Sequence, residues 1–142
     1  KKNKIENSVV KILKEEKKFG IDKFETYKKF GKKIDQIRKN VIKNMRDLKK
    51  QNKKIIGYGA PAKATTALNF YGVSDEIDFI VEDNKLKHNK IIPGVNIPIK
   101  DKNNVVKKDN IVIVLAWNFF DEIKKNNTNL SNNFVNIKSL EN

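Results

Sequence analysis

The most informative segment of this chain is KIIGYGAPAK, residues 54–63. It begins with β-branched apolar residues, turns at two glycines, and continues from Pro61 with residues that favour a helix. The glycines and the alanine at position 62 fit the pattern G-x-G-x-x-A. A strand that turns into a helix through this pattern is typical of the first unit of a nucleotide-binding α/β fold.

Strands and helices alternate after this stretch. A helix is predicted over 61–71, strands over 77–82, 111–116 and 134–137, a loop over 83–98, a weak helical turn within 102–109, and a short helix over 119–126. Strands separated by short helices favour a parallel, right-handed sheet. The predicted fold class is therefore α/β, a small Rossmann-like parallel sheet with flanking helices, preceded by a long N-terminal helical arm.

The arm consists of two predicted amphipathic helices, over 5–19 and about 23–50, with Gly20 between them. Apolar residues recur every three or four positions in both helices. We predict that residues 1–52 form a helical arm packed on the domain and that residues 53–142 form the Rossmann-like nucleotide-binding domain. For the longer helix, a coiled coil or a brace between domains is the alternative.

The formal net charge of +14 is concentrated in the N-terminal part. Residues 1–54 carry 20 basic and 7 acidic side chains, whereas residues 55–142 carry 11 and 10. Arginine is the residue that nucleic-acid recognition favours, and this chain contains only Arg38 and Arg46. We therefore expect a packing element rather than a nucleic-acid partner, and we keep a basic nucleic-acid or partner-binding module as an alternative.

Composition also argues against several kinds of site. The chain contains no cysteine, which rules out disulfides and thiolate metal sites, and its single histidine argues against a histidine metal site. That residue, His88, stands in a loop rich in Lys and Asn, which favours a surface position. No apolar run approaches the roughly 20 residues of a membrane helix. We expect a cytoplasmic protein with no membrane partner and no metal site.

The candidate ligand site is the turn from Gly57 to Lys63, which we call the glycine turn. Its glycines allow a backbone to approach a ligand closely, and the N-terminus of the following helix favours a phosphate, to which Lys63 would add positive charge. Glu82 follows Gly57 by 25 residues, near the position where an acid holds ribose hydroxyls in dinucleotide folds. We expect Glu82 and Lys63 to face one cleft. A purely structural turn is the alternative, and Pro61 departs from the usual loop because it lacks an N–H donor.

Trp117 and Asn118 follow the third predicted strand. They are therefore placed at the sheet edge where open parallel sheets bind their ligands. The indole would stack on a base or cover the pocket, and the amide would hydrogen-bond a base edge or a sugar. A tryptophan that anchors the next helix to the core is an equally good interpretation.

Three segments together resemble a known family: GYGAPAKATTALNFYG at 57–72, DFIVEDNKLKHNKIIPGVNIPI at 78–99, and IVIVLAWNF at 111–119. Over residues from about 22 to 138 the chain resembles the C-terminal domain of S-adenosylmethionine-dependent sugar C-methyltransferases, which act on nucleoside-diphosphate deoxysugars, typically TDP-ketosugars. Lys85 and Asn89 depart from the residues that this family commonly has.

The resemblance implies a domain that binds and positions a nucleotide-sugar for a methyl transfer carried out elsewhere. The nucleotide-sugar-binding residues that it implies, with those of the turn, are Gly57, Tyr58, Gly59, Ala60, Pro61, Ala62, Lys63, Thr66, Glu82, Lys87, Trp117 and Asn118. We expect no catalytic residue and no S-adenosylmethionine site here, because N-terminal zinc-binding and central methyl-donor domains supply those functions in the family. The chain alone is then inactive. An NAD-type dinucleotide-binding domain of an oxidoreductase is the alternative.

Overall fold

The computed structural model of the protein describes residues 5–105 and 109–142. Four α-helices lie within these residues: α1 (Asn7–Phe19), α2 (Phe24–Lys49), α3 (Ala62–Tyr71) and α4 (Phe120–Asn126). Five strands accompany them: β1 (Ile55–Tyr58), β2 (Phe79–Glu82), β3 (Ile99–Asp101), β4 (Ile111–Val114) and β5 (Asn133–Asn136). Short 3₁₀ turns cover Lys85–Lys87, Lys102–Asn104, Trp117–Phe119 and Ile137–Glu141.

The strands form one sheet in the order β3-β2-β1-β4-β5, and every neighbouring pair is parallel. From β1 the chain builds outward on one side through β2 and β3, and then returns to add β4 and β5 on the other side. The order therefore reverses between β1 and β4, and this reversal opens a crevice at the carboxyl ends of the strands in such sheets. The predicted α/β class and parallel sheet are confirmed.

One strand was not predicted from the sequence. β3 is only three residues long, follows Pro98, and pairs with β2 on one side only, as an edge strand. Its apolar alternation is too short to stand out from the loop that precedes it. Part of the helical turn predicted within 102–109 is present as the 3₁₀ turn Lys102–Asn104, and residues 106–108 lie outside the described residues.

The larger part of the core lies on one face of the sheet. Helix α3 buries Ala64 and Leu68 there, and the second half of α2 contributes Val41 and Met45. The carboxamides of two α2 asparagines, at positions 40 and 44, donate to the carbonyls of residues 141 and 140 at 3.0 and 2.9 Å. These bonds hold the C-terminal 3₁₀ turn against α2 and close this face.

A smaller cluster lies on the opposite face, where α4 is the covering helix. Buried members of β1, β2 and β4 meet Phe120 and Ile123 of α4 there. Since side chains alternate along a strand, Tyr58 belongs to this second face while Gly57 belongs to the first. The hydroxyl end of Tyr58 thereby lies beside the end of α4, where it meets Asn127.

Contacts divide the chain into two compact units, residues 1–36 and 37–142, with α2 running through both. Gly20, whose φ is 79°, ends α1 in a left-handed cap, and it is the only buried residue among residues 5–36. The division predicted at residue 52 stays a prediction. No helix among the described residues has both the length and the apolar character needed to cross a bilayer.

Candidate functional site

A cleft of about 490 Å³ opens at the carboxyl ends of β1, β2 and β4, where the strand order reverses. We call it the edge cleft. This volume falls within the range of roughly 300–1,000 Å³ that is usual for ligand pockets. Its lining comes from the strand ends and from α4: Tyr58, Gly59, Pro61, Glu82, Asp83, Lys87, Lys102, Ala116, Phe119, Glu122, Ile123, Asn126 and Asn127.

A wider hollow of about 890 Å³ lies at the opposite edge, beside the amino ends of the strands. Lys54 and Lys100 lie 5.7 and 4.6 Å from the ring of Phe79 there. We place the candidate site in the edge cleft instead, because open parallel sheets bind ligands beyond the carboxyl ends of their strands.

The glycine turn forms one wall of the edge cleft. Glycine is required at its two positions for different physical reasons. Gly59 has a φ of 86°, a conformation that side chains disfavour, and its N–H donates to the carbonyl of Val81 at 2.9 Å. Gly57 is needed for packing, since a Cβ there would lie 2.7 Å from Cγ1 of Ile80. The turn therefore brings the ends of β1 and β2 together closely.

Glu82 is bound to this turn. Its Oε2 accepts a hydrogen bond from the backbone N–H of Ala60 at 2.8 Å, and its Oε1 accepts one from the N–H of Asn84 at 3.1 Å. The ammonium of Lys87 donates to the carbonyl of Ala60 at 2.9 Å and lies 3.4 Å from the same carboxylate. A carboxylate thus already accepts the turn's N–H at Ala60.

These contacts keep Glu82 ionised. Burial alone would raise the pKa of its carboxyl, but the N–H groups of Asn84 and Ala60 and the charge of Lys87 outweigh burial and lower that pKa below its usual value. At neutral pH the cleft therefore contains a carboxylate beside the turn, and that carboxylate repels any phosphate that approaches Ala60.

A second polar network crosses the cleft floor. The Tyr58 hydroxyl donates to Oδ2 of Asp83 at 2.8 Å, and the Lys102 ammonium donates to Oδ1 of the same carboxylate at 2.6 Å. Oδ1 of Asn127 lies 3.3 Å from both donors. The network joins residues that follow β2 and β3 to the ends of β1 and α4.

The network also perturbs its members' acidity. Burial, followed by the neighbouring Asp83, raises the pKa of the Tyr58 phenol. Burial would also raise the pKa of Asp83, but the hydrogen bonds from Lys102 and Tyr58 lower it overall. The hydrogen bond to Asp83 raises the pKa of Lys102. Both cleft lysines are thus paired with cleft carboxylates, and Glu122 adds a third acidic side chain to the lining.

The structure brings five of the predicted site residues to the edge cleft: Tyr58, Gly59, Pro61, Glu82 and Lys87. Gly57 and Ala60 are buried, and Ala62 begins α3, whose cap residue Pro61 makes no side-chain hydrogen bond. The first N–H groups of a helix have no partner within the helix. The hydroxyl of Thr66 turns back toward the carbonyl of Ala62 at 3.4 Å.

Lys63 and Trp117 contact each other outside the cleft lining. The Lys63 ammonium lies 4.2 Å from the centre of the indole, within the range of a cation–π contact. The first turn of α3 directs position 63 toward Trp117, so Lys63 and Glu82 have different neighbours, and the expectation that they face one cleft stays a prediction. The indole packs against the larger core cluster and also lies 5.5 Å from the Lys138 ammonium. Asn118 is exposed beside it.

His88 is more enclosed than its loop composition indicates. Its Nε2 lies 2.7 Å from the carbonyl oxygen of Glu82, which accepts, and its Nδ1 lies 3.9 Å from Oδ2 of Asp101. The ring therefore bridges the ends of β2 and β3 and is only partly exposed. Among the residues the structure describes, no group of three His, Cys, Asp or Glu side chains could hold a metal ion.

Residues that follow β2 and β3, or that belong to α4 or follow it, were not predicted as part of the cleft, namely Asp83, Lys102, Glu122 and Asn127. The sequence could have indicated Asp83 as a site residue, since it follows Glu82 at the end of a predicted strand. The sequence contained no such indication for Lys102, because the strand that precedes it, β3, was not predicted. The asparagine-rich stretch 124–133 reads as a plain loop, so Asn127 did not stand out.

Comparison with known proteins adds to this geometry. The model of a family described as C-methyltransferase C-terminal domain matches residues 1–136. Over 126 residues the chain is 30% identical to C-methyltransferase NovU from Streptomyces niveus, an alignment that covers 87% of this chain and 30% of that protein. The chain thus spans less than a third of the length of this curated relative.

Proposed function

Since the chain belongs to the C-methyltransferase C-terminal domain family, we propose that it binds a nucleotide-sugar of the TDP-ketosugar type in the edge cleft and positions it for methyl transfer. The observation that carries this proposal is the position of the cleft. It is a pocket with both charged and apolar side chains at the reversal of strand order, which is where this kind of sheet binds its ligands.

The contacts of Glu82 indicate how the ligand lies. The carboxylate accepts the N–H of Ala60, so the diphosphate does not lie against that group. The phosphates instead lie over the first turn of α3, where the N–H groups of Ala62 and Lys63 and the helix dipole favour negative charge. The hydroxyls of the ligand face Asp83, Asn127 and the paired lysines. Trp117 and Asn118 border the same sheet edge and contact the base.

Methyl transfer itself belongs to another part of the enzyme. S-adenosylmethionine supplies the methyl group there, bound by the methyl-donor domain that accompanies an N-terminal zinc-binding domain. The residues of this chain hold the acceptor sugar and fix its orientation, which lowers the entropic cost of bringing donor and acceptor into line.

Calorimetry on the 142-residue chain tests the proposal. Titration with a TDP-sugar should show binding, whereas NAD(H) and a short DNA duplex at about 150 mM salt should show none. At about 100 times its Kd, the TDP-sugar should also stabilise the fold by roughly 2.7 kcal/mol. Failure of both TDP and the TDP-sugar to bind would overturn the proposal, and preferential binding of NAD(H) would favour an oxidoreductase-type domain.

A pair of lysine variants locates the site. Lys87→Ala removes a charged donor from the edge cleft, and loss of one charge-assisted contact weakens binding by about 10- to 150-fold. Lys54→Ala removes the same charge at the opposite edge of the sheet and should leave affinity unchanged. Equal losses in the two folded variants would mean that general electrostatic attraction, not the edge cleft, accounts for the binding.

A further inference from the structure

The described part of the first unit, residues 5–36, has apolar side chains but no buried apolar core. Among residues 5–36, ten large apolar side chains are exposed: Ile5, Val9, Val10, Ile12, Leu13, Phe19, Ile21, Phe24, Tyr27 and Phe30. We call this set the arm stripe. None of the residues of α1 is buried. Short helices in water gain most of their stability from packing an apolar face, so these helices need a surface to cover them.

Helix α2 shows the contrast within a single element. Val41 and Met45, in its second half, are fully buried in the core of the second unit. Phe24, Tyr27 and Phe30, in its first half, expose 76%, 57% and 62% of their surface. Three exposed aromatic side chains on one helical segment exceed the scattered apolar exposure of an ordinary surface and mark a protein contact.

Charge argues against a second copy of this chain as the partner. Residues 1–36 carry 12 lysines and 6 acidic side chains, a formal net charge of +6. Two copies that met through the arm stripe would bring these lysines together. An apolar groove with acidic side chains at its rim would instead complement both the stripe and the lysines around it.

The comparisons indicate that related enzymes have other parts outside this domain. The matching family is a C-terminal domain, and the alignment covers only 30% of the Streptomyces niveus relative, so most of such an enzyme precedes the matched region. The arm stripe lies at the N-terminal end of the domain, which in the sequence of such a relative is the end nearest to its preceding part.

We propose that the arm stripe docks into an apolar groove with an acidic rim on the methyl-donor part of the same enzyme. The inference rests on the proposed function for the existence of that part, but it concerns a surface other than the edge cleft. The lysines around the stripe would make the rate of docking sensitive to salt.

Single cysteines test this docking, because the chain has none of its own. Phe30→Cys and Leu13→Cys place thiols on the stripe of α2 and of α1, and Lys32→Cys places one on the opposite side of α2 as a matched control. Labelling by a water-soluble maleimide is followed by mass spectrometry on this chain, first alone and then with the methyl-donor part added as a separate polypeptide.

We expect all three thiols to react rapidly in the isolated chain. The added polypeptide should slow labelling of the two stripe thiols at least tenfold and leave Lys32→Cys unchanged. In otherwise native chains, Phe30→Ser combined with Leu13→Ser should weaken the complex at least tenfold, while Lys32→Ser should not.

Three results would overturn the proposal: no protection by the added polypeptide, protection in the isolated chain that grows with its concentration, or protection there that does not depend on concentration. The second would show a dimer and the third would show that the chain covers its own stripe. Calorimetry with a TDP-sugar is independent of these readouts. Docking without nucleotide-sugar binding would refute the proposed function alone, and binding without docking would refute only this inference.

Discussion

Gly59 is the residue on which the glycine turn depends most. Its φ of 86° costs an L-residue about 1–2 kcal/mol, and a Cβ there would lie 3.1 Å from Cβ of Ala116. We expect Gly59→Ala to lower the free energy of unfolding by at least this amount and to weaken TDP-sugar binding. Urea unfolding followed by Trp117, the only tryptophan, and calorimetry would measure the two effects.

Gly31→Ala is the matched control for this substitution. A Cβ at Gly31 meets no atom within 4 Å, and the residue lies inside α2. Alanine should leave stability unchanged or raise it by up to about 1 kcal/mol, because glycine is the poorer helix former. If the two alanine variants were equally stable, the positive φ of Gly59 would not require glycine at that position.

Glu82 predicts a dependence of stability on pH. Its pKa in the folded protein lies below the usual value of 4.5, so its contacts stabilise the fold above that value and are lost as pH falls through the folded pKa. Unfolding by urea should therefore become easier as pH drops from about 5 toward 3. Asp83 and Glu141, whose pKa values are also lowered, contribute in the same sense.

Glu82→Gln distinguishes the contribution of Glu82 to this pH dependence from the contributions of Asp83 and Glu141. The variant should be less stable than the native chain at pH 7 and should lose less stability between pH 5 and pH 3. An unchanged pH dependence would show that the contacts with Ala60, Asn84 and Lys87 do not favour the ionised carboxyl.

At the scale of elements, α2 carries the sharpest contrast between buried and exposed apolar side chains. Met45 is fully buried, and truncating such a residue to alanine typically costs about 2–5 kcal/mol. Phe30→Ala, on the exposed first half of the same helix, should change the stability of the isolated chain by less than about 0.5 kcal/mol. Denaturant unfolding of both variants measures this difference. A large loss for Phe30→Ala would mean that the arm stripe is already covered in the isolated chain.

The edge cleft forms where several elements end. Tyr58 comes from β1, Asp83 follows β2, Lys102 follows β3 and Asn127 follows α4. None of these elements makes the cleft alone, and the parallel register brings their ends to the same edge. A shift of one residue in β1 would turn Tyr58 to the other face of the sheet and disconnect it from Asp83.

For the whole molecule, we expect no methyl transfer by the 142-residue chain alone. The cleft carboxylates Glu82 and Asp83 have lowered pKa values and are held by hydrogen bonds, so both are poor general bases near neutral pH. Incubation with labelled S-adenosylmethionine and a TDP-ketosugar should give no product above background. Clear turnover would contradict the assignment of donor and base to another part of the enzyme.

The sequence alone determined those features that depend on neighbouring residues. Periodicity placed α1, α2, α3, α4 and four of the five strands. The segment from Gly57 to Lys63 predicted a strand–turn–helix unit, and three segments together resembled the family that the comparison found. These predictions succeeded because side-chain spacing and glycine conformation act over a few residues. The three-residue strand β3 lacked such a pattern, and its place was decided by pairing with β2.

Only the tertiary structure decided which side chains meet. It set Glu82 against the N–H of Ala60, turned Lys63 toward Trp117, enclosed His88, and joined Tyr58 to Asp83. These contacts join strands and loops that lie apart in the chain, and they depend on strand order, register and the face that each side chain takes. A local pattern specifies none of these three quantities, so the composition of the edge cleft followed from the packed sheet.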